Sequence, residues 1–563
     1  MKVMLCAINS QYIHSNPALF SLARATEAME LPPCLLLRQY SLNLPYETIL
    51  SELYAERPDI LAFSVYIWNV SLVARLLGDL GKLLPQTLLL AGGPEATARA
   101  AQLLQACPSL QGVLLGEGEL LWPLLLQRLQ QGEQRPGLPG LLWRGLAPVP
   151  LAAPLPDLAS QPFLYSEQDL AALRQARQVI YYESSRGCPY GCSFCASAQT
   201  ALRERPLALV LQELPLLAQT GGQIKFVDRT FNADPQRAAA ITRAVLELYR
   251  PGLSWHFEIS PYNLPQELLD LWAMAPAGYI RLEAGVQSLH PLALAAIRRS
   301  GSWPRAKQAL QSLIAGDHVH VHTDLIAGLP EETSESFGTA FAELHALAPH
   351  YLQLGFLKIL PGSLLQGEAA QRGLLYSDHP PYQILQTPTM SAGDLLGLGR
   401  ASKALNAFYN SGKFRQSLLQ AAELWPGGAL ALYMQIARAM EEYGPGGLSL
   451  QGKAGLLYAL LSPLDAELFL DLLRLDWLCY QDHQPLPACL RRPEDNKEGF
   501  AFHYSWHFDE RGRATHKTDP AMLHFDWQQR TGVSERAKVE MIYNTSRKEV
   551  GLSWNKQVSK WKE

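Results

Sequence analysis

The chain has 563 residues, 48% hydrophobic and 18% charged, enough apolar material for ordinary cores, which excludes a disordered chain; the length predicts about three or four domains. Lys and Arg number 48 against 52 Asp and Glu, a net charge of -4, so no global positive field points to a nucleic acid or an anionic membrane as partner. No segment approaches the ~20 uninterrupted apolar residues of a membrane span. The start, Met1 to Asn9, reads as a strand rather than a signal peptide, and a soluble, cytoplasmic protein is expected. Eight cysteines are too few for a disulfide framework in a chain of this size, and their clustering at one locus points to metal binding or catalysis in a reducing compartment. Cys6, Cys34 and Cys107 fall in or beside apolar runs, where buried free thiols are expected.

From Lys2 to about Gln131, the apolar runs Val3–Ile8, Cys34–Tyr40, Ile60–Tyr66, Thr87–Ala91 and Val113–Leu115 alternate with helical patterns. That alternation predicts a doubly wound, Rossmann-like α/β domain with a parallel sheet. Two segments, Gly92-Gly93-Pro94-Glu95 and Gly116-Glu117-Gly118-Glu119, sit where strand ends of such a sheet meet a ligand. A stretch rich in Pro, Gly and Leu from Arg135 to Pro162 reads as a linker.

A second strand–helix series follows, with strand candidates Val179–Ser184, Ile224–Asp228, Trp255–Ser260, Tyr279–Val286, His320–Ala327 and Tyr351–Ile359. Six such units predict a partial or full barrel of parallel strands, with its active site at their C-terminal ends. Beyond about Leu365 the strand signal fades, and Ala392–Tyr409, Gly428–Glu442 and Ala454–Leu475 carry helical periodicity, so a mainly α-helical C-terminal region is expected. The polar, basic stretch from Lys538 to Glu563 reads as a solvated tail. The expected division is 1–134, a linker 135–175, 176–366 and 367–563.

Directly after the first barrel strand comes Ser184-Ser185-Arg186-Gly187-Cys188-Pro189-Tyr190-Gly191-Cys192-Ser193-Phe194-Cys195, three thiols on one loop at CxxxCxxC spacing. Thiolates suit zinc or iron–sulfur clusters. Structural zinc takes four protein ligands, and the fourth would have to come from far away, from Cys479, His483 or Cys489. A cubane held by three thiolates instead leaves one iron free for a substrate.

This segment resembles the radical S-adenosylmethionine (SAM) superfamily, whose CxxxCxΦC motif lies on the loop after the first strand of a (β/α)6 partial TIM barrel. The resemblance implies that Cys188, Cys192 and Cys195 hold a 4Fe-4S cluster, that its free iron chelates SAM, and that Phe194 flanks the adenine. It also implies reductive cleavage of SAM to a 5′-deoxyadenosyl radical, with electrons from a reductant such as flavodoxin or ferredoxin. The segments Gly285-Val286-Gln287-Ser288 and Asp324-Leu325-Ile326-Ala327-Gly328-Leu329-Pro330 resemble the GVQS and DLIxGLP motifs of the coproporphyrinogen-dehydrogenase-like branch. By that resemblance Gln287 and Asp324 bind the SAM ribose, Glu258 helps hold the methionyl end, and Arg299, in the last turn of a helix Pro291–Arg299, meets the methionine carboxylate, with Arg298 as its rival. Asp228 and Arg229 are either SAM or substrate contacts or an ion pair at the strand end.

A doubly wound domain ahead of such a barrel resembles the cobalamin-binding members of the superfamily, with Ser64 after the third strand and Gly92 and Gly93 after the fourth as corrin contacts. The alternatives are an empty domain or one that binds another nucleotide. The loop after the first strand holds His14 but lacks the DxHxxG pattern of a cobalt ligand, so His14 is expected to bond locally. With cobalamin, the resemblance implies methylation of an unactivated carbon of a small molecule. The alternatives are radical oxidation or cyclisation, as in the ring-forming enzymes of anaerobic chlorophyll synthesis, or a non-catalytic cobalamin- or metal-binding protein. No motif specifies the substrate.

Overall fold

The computed structural model describes residues 1–147, 149, 153–444, 447–480 and 486–491 and, as backbone, the strands 505–508, 514–526, 531–544, 549–554 and 557–562. They fall into two compact units. The first is Met1–Ala284, Leu294–Ala309 and Phe356–Pro388; the second is Gly285–Ala293, Leu310–Gly355 and Thr389–Glu563.

The first unit opens with a six-stranded sheet of β1 (Lys2–Asn9), β2 (Cys34–Ser41), β3 (Ile60–Ser64), β4 (Leu88–Gly92), β5 (Gly112–Leu114) and β6 (Leu141–Trp143), in the order β2-β1-β3-β4-β5-β6. The first five strands run parallel. β1 is apolar from end to end because both of its faces are covered. Met4, Cys6 and Ile8 pack with Leu61, Phe63, Leu89, Val73, Leu76 and Leu77 on one face, while Val3, Leu5 and Ala7 pack with Ile60, Leu90, Trp122 and Leu125 on the other. β6 lies inside the segment read as a linker and closes the sheet antiparallel to β5, with Val113 opposite Leu142. The buried-thiol expectation holds for Cys6 and Cys107, but Cys34 is exposed, because it starts β2 at the edge of the sheet.

The same unit carries β7 (Ile180–Tyr182), β8 (Ser185–Arg186), β9 (Arg203–Glu204), β10 (Gly222–Phe226), β11 (Leu253–Ile259) and β12 (Ile280–Gln287), the last ending in the second unit. β7, β10, β11 and β12 pair parallel in that order. In β11, Trp255, Phe257 and Ile259 are buried, whereas Ser254, His256 and Glu258, on the opposite face by strand alternation, are half-buried. That second face is polar, unlike an apolar barrel core, and so has groups to offer a ligand.

The second unit holds β13 (Val319–Ala327) and all of β14 (Tyr351–Phe356) but its last residue. It also holds the helices Ser334–Ala346, Ala392–Ala407, Arg415–Leu424, Gly428–Glu441, Leu450–Leu461 and Ala466–Tyr480. Asp476 caps the helix Arg415–Leu424, accepting from the backbone amides of Gln416 at 3.1 Å and Ser417 at 2.9 Å. The mainly helical expectation therefore holds through Tyr480. Beyond it, Ser505–Phe508, Ala514–Asp526, Thr531–Asn544, Glu549–Trp554 and Gln557–Lys562 form an antiparallel meander, so the stretch read as a solvated tail is mostly strand. The hairpin pairs Val539 with Trp554 and Glu549 with Lys562; its alternation is diluted by charged residues, which hid the strand period.

Candidate cluster and cofactor site

The three cysteines sit on the loop between β8 and β9, whose short antiparallel pairing, Ser185 with Glu204 and Arg186 with Arg203, forms a neck. Gly187 leaves the neck at φ +84, where an added Cβ would stand 2.4 Å from the Ala201 carbonyl oxygen. Only glycine fits so tight a crossing. Gly187→Ala is expected to destabilise the chain by about 1–3 kcal/mol, read as a lowered unfolding midpoint together with reduced iron content.

Buried Asp228 secures the neck from below. Its carboxylate accepts from the backbone amides of Ser184 at 2.7 Å and Ser185 at 3.1 Å. Burial pushes its carboxyl above the ordinary carboxylate range, and the Ser184 and Ser185 bonds oppose that. Asp228 therefore caps the end of β7.

Within the loop the backbone of Ser193 is fastened on both sides: its N–H donates to the Ile297 carbonyl at 3.0 Å, and its carbonyl accepts from Leu365 at 2.8 Å. Cys192 is buried, and Cys188 and Cys195 are half-buried; Phe194 is half-buried between them in sequence. Burial pushes the Cys192 thiol up, and the Arg299 guanidinium pulls it back down. Among the described residues, the three sulfurs are not gathered into the coordination sphere of one ion. A tetrahedral zinc at ~2.3 Å from each sulfur would require that; three separate irons of a cubane do not. Of the distant zinc ligands considered, Cys489 packs against Gly455, and the side chain of Cys479 and all of His483 lie outside the described residues.

The geometry separates the two rival arginines. Arg299 points its Nη1 at Cys192 Sγ, 3.7 Å away, and lies over the Tyr262 ring at 5.5 Å. Arg298 is half-exposed and pairs with Glu368 at 2.8 Å. The helix expected to run to Arg299 stops at Ala296, and Arg298 takes a left-handed φ of +57. Arg299 therefore reaches the cluster loop from a turn and not from a helix.

Glu258 is held by Lys225, whose Nζ lies 3.3 Å from Glu258 and 3.1 Å from Glu283; Glu283 also meets His256 Nε2 at 2.9 Å. Burial raises the Glu258 carboxyl and Lys225 opposes the rise. Lys225 was not singled out from the sequence, since a lysine in the strand Gly222–Phe226 carries no motif.

In the second unit, Gln287 ends β12 at φ +73, and Asp324 lies on β13 beside His322, Oδ1 to Nε2 2.8 Å. The residue after Gln287 is anchored: buried Ser288 donates to Glu332 Oε1 at 2.6 Å and accepts from His290 N at 3.0 Å. Glu332 is fully buried, and its Oε2 has no hydrogen-bond partner among the described residues. Burial pushes its carboxyl up to about 7 from an ordinary 4.5. Its stabilising contribution is complete below pH 4.5 and is lost as pH rises through about 7, because the unfolded chain ionises first. Glu332→Gln should therefore gain about 2 kcal/mol over the parent between pH 5 and pH 8, measured by denaturant unfolding at both pH values.

At the strand ends of the first sheet, Ser64 accepts at Oγ from Asn16 Nδ2 at 3.4 Å. Gly93 takes φ +100, with an added Cβ 2.7 Å from the Val65 carbonyl, so its close approach is to its own chain. Gly92 accepts from Val65 N at 2.8 Å. Around these ends the loops expose Tyr12, Ile13, Leu42, Leu44 and Trp68, with Tyr66 and Trp68 stacked at 4.4 Å. This is an apolar, aromatic rim of the kind a flat macrocycle needs. His14 does not bond locally as expected: its Nδ1 meets the Tyr181 hydroxyl at 2.6 Å. Burial, then Lys225, lowers its pKa.

Three family profiles match the chain: a B12 binding domain over residues 5–126, the radical SAM superfamily over 182–344, and a protein of unknown function (DUF4080) over 370–548. Among curated relatives, the cobalamin-dependent radical SAM methyltransferase TokK of Streptomyces tokunonensis is 29% identical, over 55% of this chain and 48% of its own. The hopanoid C-3 methylase of Methylococcus capsulatus is 28% identical, over 46% and 52%. The chain thus spans about half the length of these relatives. Among solved structures, the radical SAM methyltransferase TsrM from Kitasatospora setae with cobalamin and 4Fe-4S cluster bound superposes with a TM-score of 0.55 at 18% identity, covering 68% of this chain and 79% of that one. The cobalamin-dependent SAM radical enzyme OxsB with aqua-cobalamin and SAM bound gives 0.55 at 15% identity, covering 84% and 78%; both share the fold. The chain thus carries a B12-binding domain ahead of a radical SAM domain, and these domains imply a 4Fe-4S cluster, SAM and cobalamin as its cofactors.

Proposed function

We propose that this enzyme methylates an unactivated carbon of a small molecule, with a flavodoxin or ferredoxin as its reductant, in the cytoplasm. The observation that carries the reading is the cluster loop itself: three thiols fastened through Gly187, Asp228 and Ser193, with one arginine, Arg299, turned onto Cys192. When bound, the cluster and SAM supply a 5′-deoxyadenosyl radical, and cobalamin supplies the methyl group. The chain's own residues bind and orient. Arg299 receives the methionine carboxylate, Glu258 helps hold the methionyl end, Gln287 and Asp324 bind the ribose, and Phe194 flanks the adenine. Ser64, Gly92 and Gly93 meet the corrin on the exposed rim. The assignment divides the chain into a corrin domain 1–134, a linker 135–175 that lends β6 to the corrin domain's sheet, a SAM core 176–366 and a C-terminal domain 367–563. The relatives named methyltransferase and methylase support methyl transfer.

A second reading is radical cyclisation, supported by the anaerobic magnesium-protoporphyrin IX monomethyl ester cyclase of Cereibacter sphaeroides, 21% identical over 52% of this chain. Product analysis separates the two. After anaerobic reconstitution with cluster and cobalamin, methyl transfer yields both 5′-deoxyadenosine and S-adenosylhomocysteine from SAM. 5′-Deoxyadenosine alone would favour cyclisation and overturn the methyl-transfer reading.

A further inference from the structure

The Gly116-Glu117-Gly118-Glu119 segment, just after β5 of the corrin-binding sheet, has no part in the reading above. Both of its carboxylates nonetheless meet the arginine at the neck of the cluster loop. Arg186 stands two residues before Cys188. Its Nη1 donates to Glu117 at 2.6 Å, its Nη2 to Glu119 at 2.5 Å and its Nε to Glu183 at 2.7 Å. Arg203, its cross-strand partner, also donates to Glu117. Ser21 of the helix Pro17–Glu27 donates to Glu119 at 2.9 Å. The Arg186 side chain is 18% exposed and that of Glu119 7%. Exposed ion pairs contribute little, but here every nitrogen of one guanidinium is engaged away from bulk water, where losing a partner strands a charge.

We propose that Arg186 is a positioning residue that locks the loop after β5 onto the neck of the cluster loop, so that the corrin-binding sheet and the three cysteines move as one body. The protein then sets the spacing between the two cofactors before substrate arrives. Arg186 is not the only tie between these parts. Ser15 Oγ donates to the Val179 carbonyl at 2.9 Å, and the Tyr382 hydroxyl lies between Glu95 and Arg99. Replacing Arg186 should therefore release the loop while leaving the sheet attached. The proposal rests on cobalamin occupying the N-terminal domain, but hydrogen exchange reads the lock without turnover, so a failure of the methyl-transfer reading would leave it intact.

The test uses the full chain loaded with cluster and cobalamin, comparing Arg186→Gln, Arg186→Lys and the double variant Glu117→Gln/Glu119→Gln with the parent by hydrogen exchange and mass spectrometry. The expected result is joint acceleration, on the order of tenfold, of amides in 112–121 and 187–202, with exchange of β11 and iron content unchanged and partial recovery in Arg186→Lys. In the same samples the magnetic interaction between reduced cluster and cob(II)alamin should broaden. Unchanged exchange, acceleration of one loop only, or acceleration spread over the whole barrel would overturn the proposal. Should Arg186→Gln fail to fold, the double variant, which keeps Arg186 on Glu183, decides by the same criteria.

Discussion

Cys192→Ala is expected to abolish the brown absorbance of the reconstituted protein and to lower reductive SAM cleavage roughly thousandfold or more, since the cluster is the group that carries the electron to SAM. Cys192 is the buried member of the trio, and its neighbour Ser193 is fastened by backbone bonds to Ile297 and Leu365 that the substitution leaves in place. The loop should therefore keep its course while one iron loses its thiolate. Removing a small buried side chain should cost about 1–2 kcal/mol in the apo chain, so circular dichroism of apo protein should be unchanged. A variant that retains full iron and cleavage would show that Cys192 is not a ligand.

The second large effect concerns the paired arginines. Arg299→Ala should weaken SAM binding about 10- to 100-fold, the loss of one charge-assisted bond to a carboxylate. Arg298→Ala should leave SAM affinity within about twofold, because it removes only a half-exposed pair with Glu368. Equilibrium dialysis with the cluster loaded reads both. If Arg298→Ala weakens SAM and Arg299→Ala does not, the contact of Arg299 with Cys192 is structural and the carboxylate assignment moves to Arg298.

The first sheet was legible because its central strands are buried on both faces and read as unbroken apolar runs: β1, β3 and β4 lie within a residue or two of their expected places. The pieces that escaped are those whose stability comes from tertiary partners. β6 is three residues long among prolines, and its pairing with β5 decides its conformation. The helix ending at Ala296 rather than Arg299 is cut short by the left-handed Arg298, a backbone choice that periodicity does not register. At the site, the cysteine spacing and the GVQS and DLIxGLP segments were visible as motifs. Arg186, Lys225 and Asp228 were not assigned, because their roles depend on partners 33 to 69 positions away, from Lys225 and Glu258 to Arg186 and Glu117. The Arg beside Gly187-Cys188 was the one available hint.

The central claim is that this chain cleaves SAM by a radical route at the three-cysteine loop. Its most direct measurement is 5′-deoxyadenosine formed from SAM by the anaerobically reconstituted, dithionite-reduced full chain. The account predicts product that depends on cluster, reductant and Cys192 together. SAM left intact by a protein whose cluster is fully assembled and reduced would contradict it.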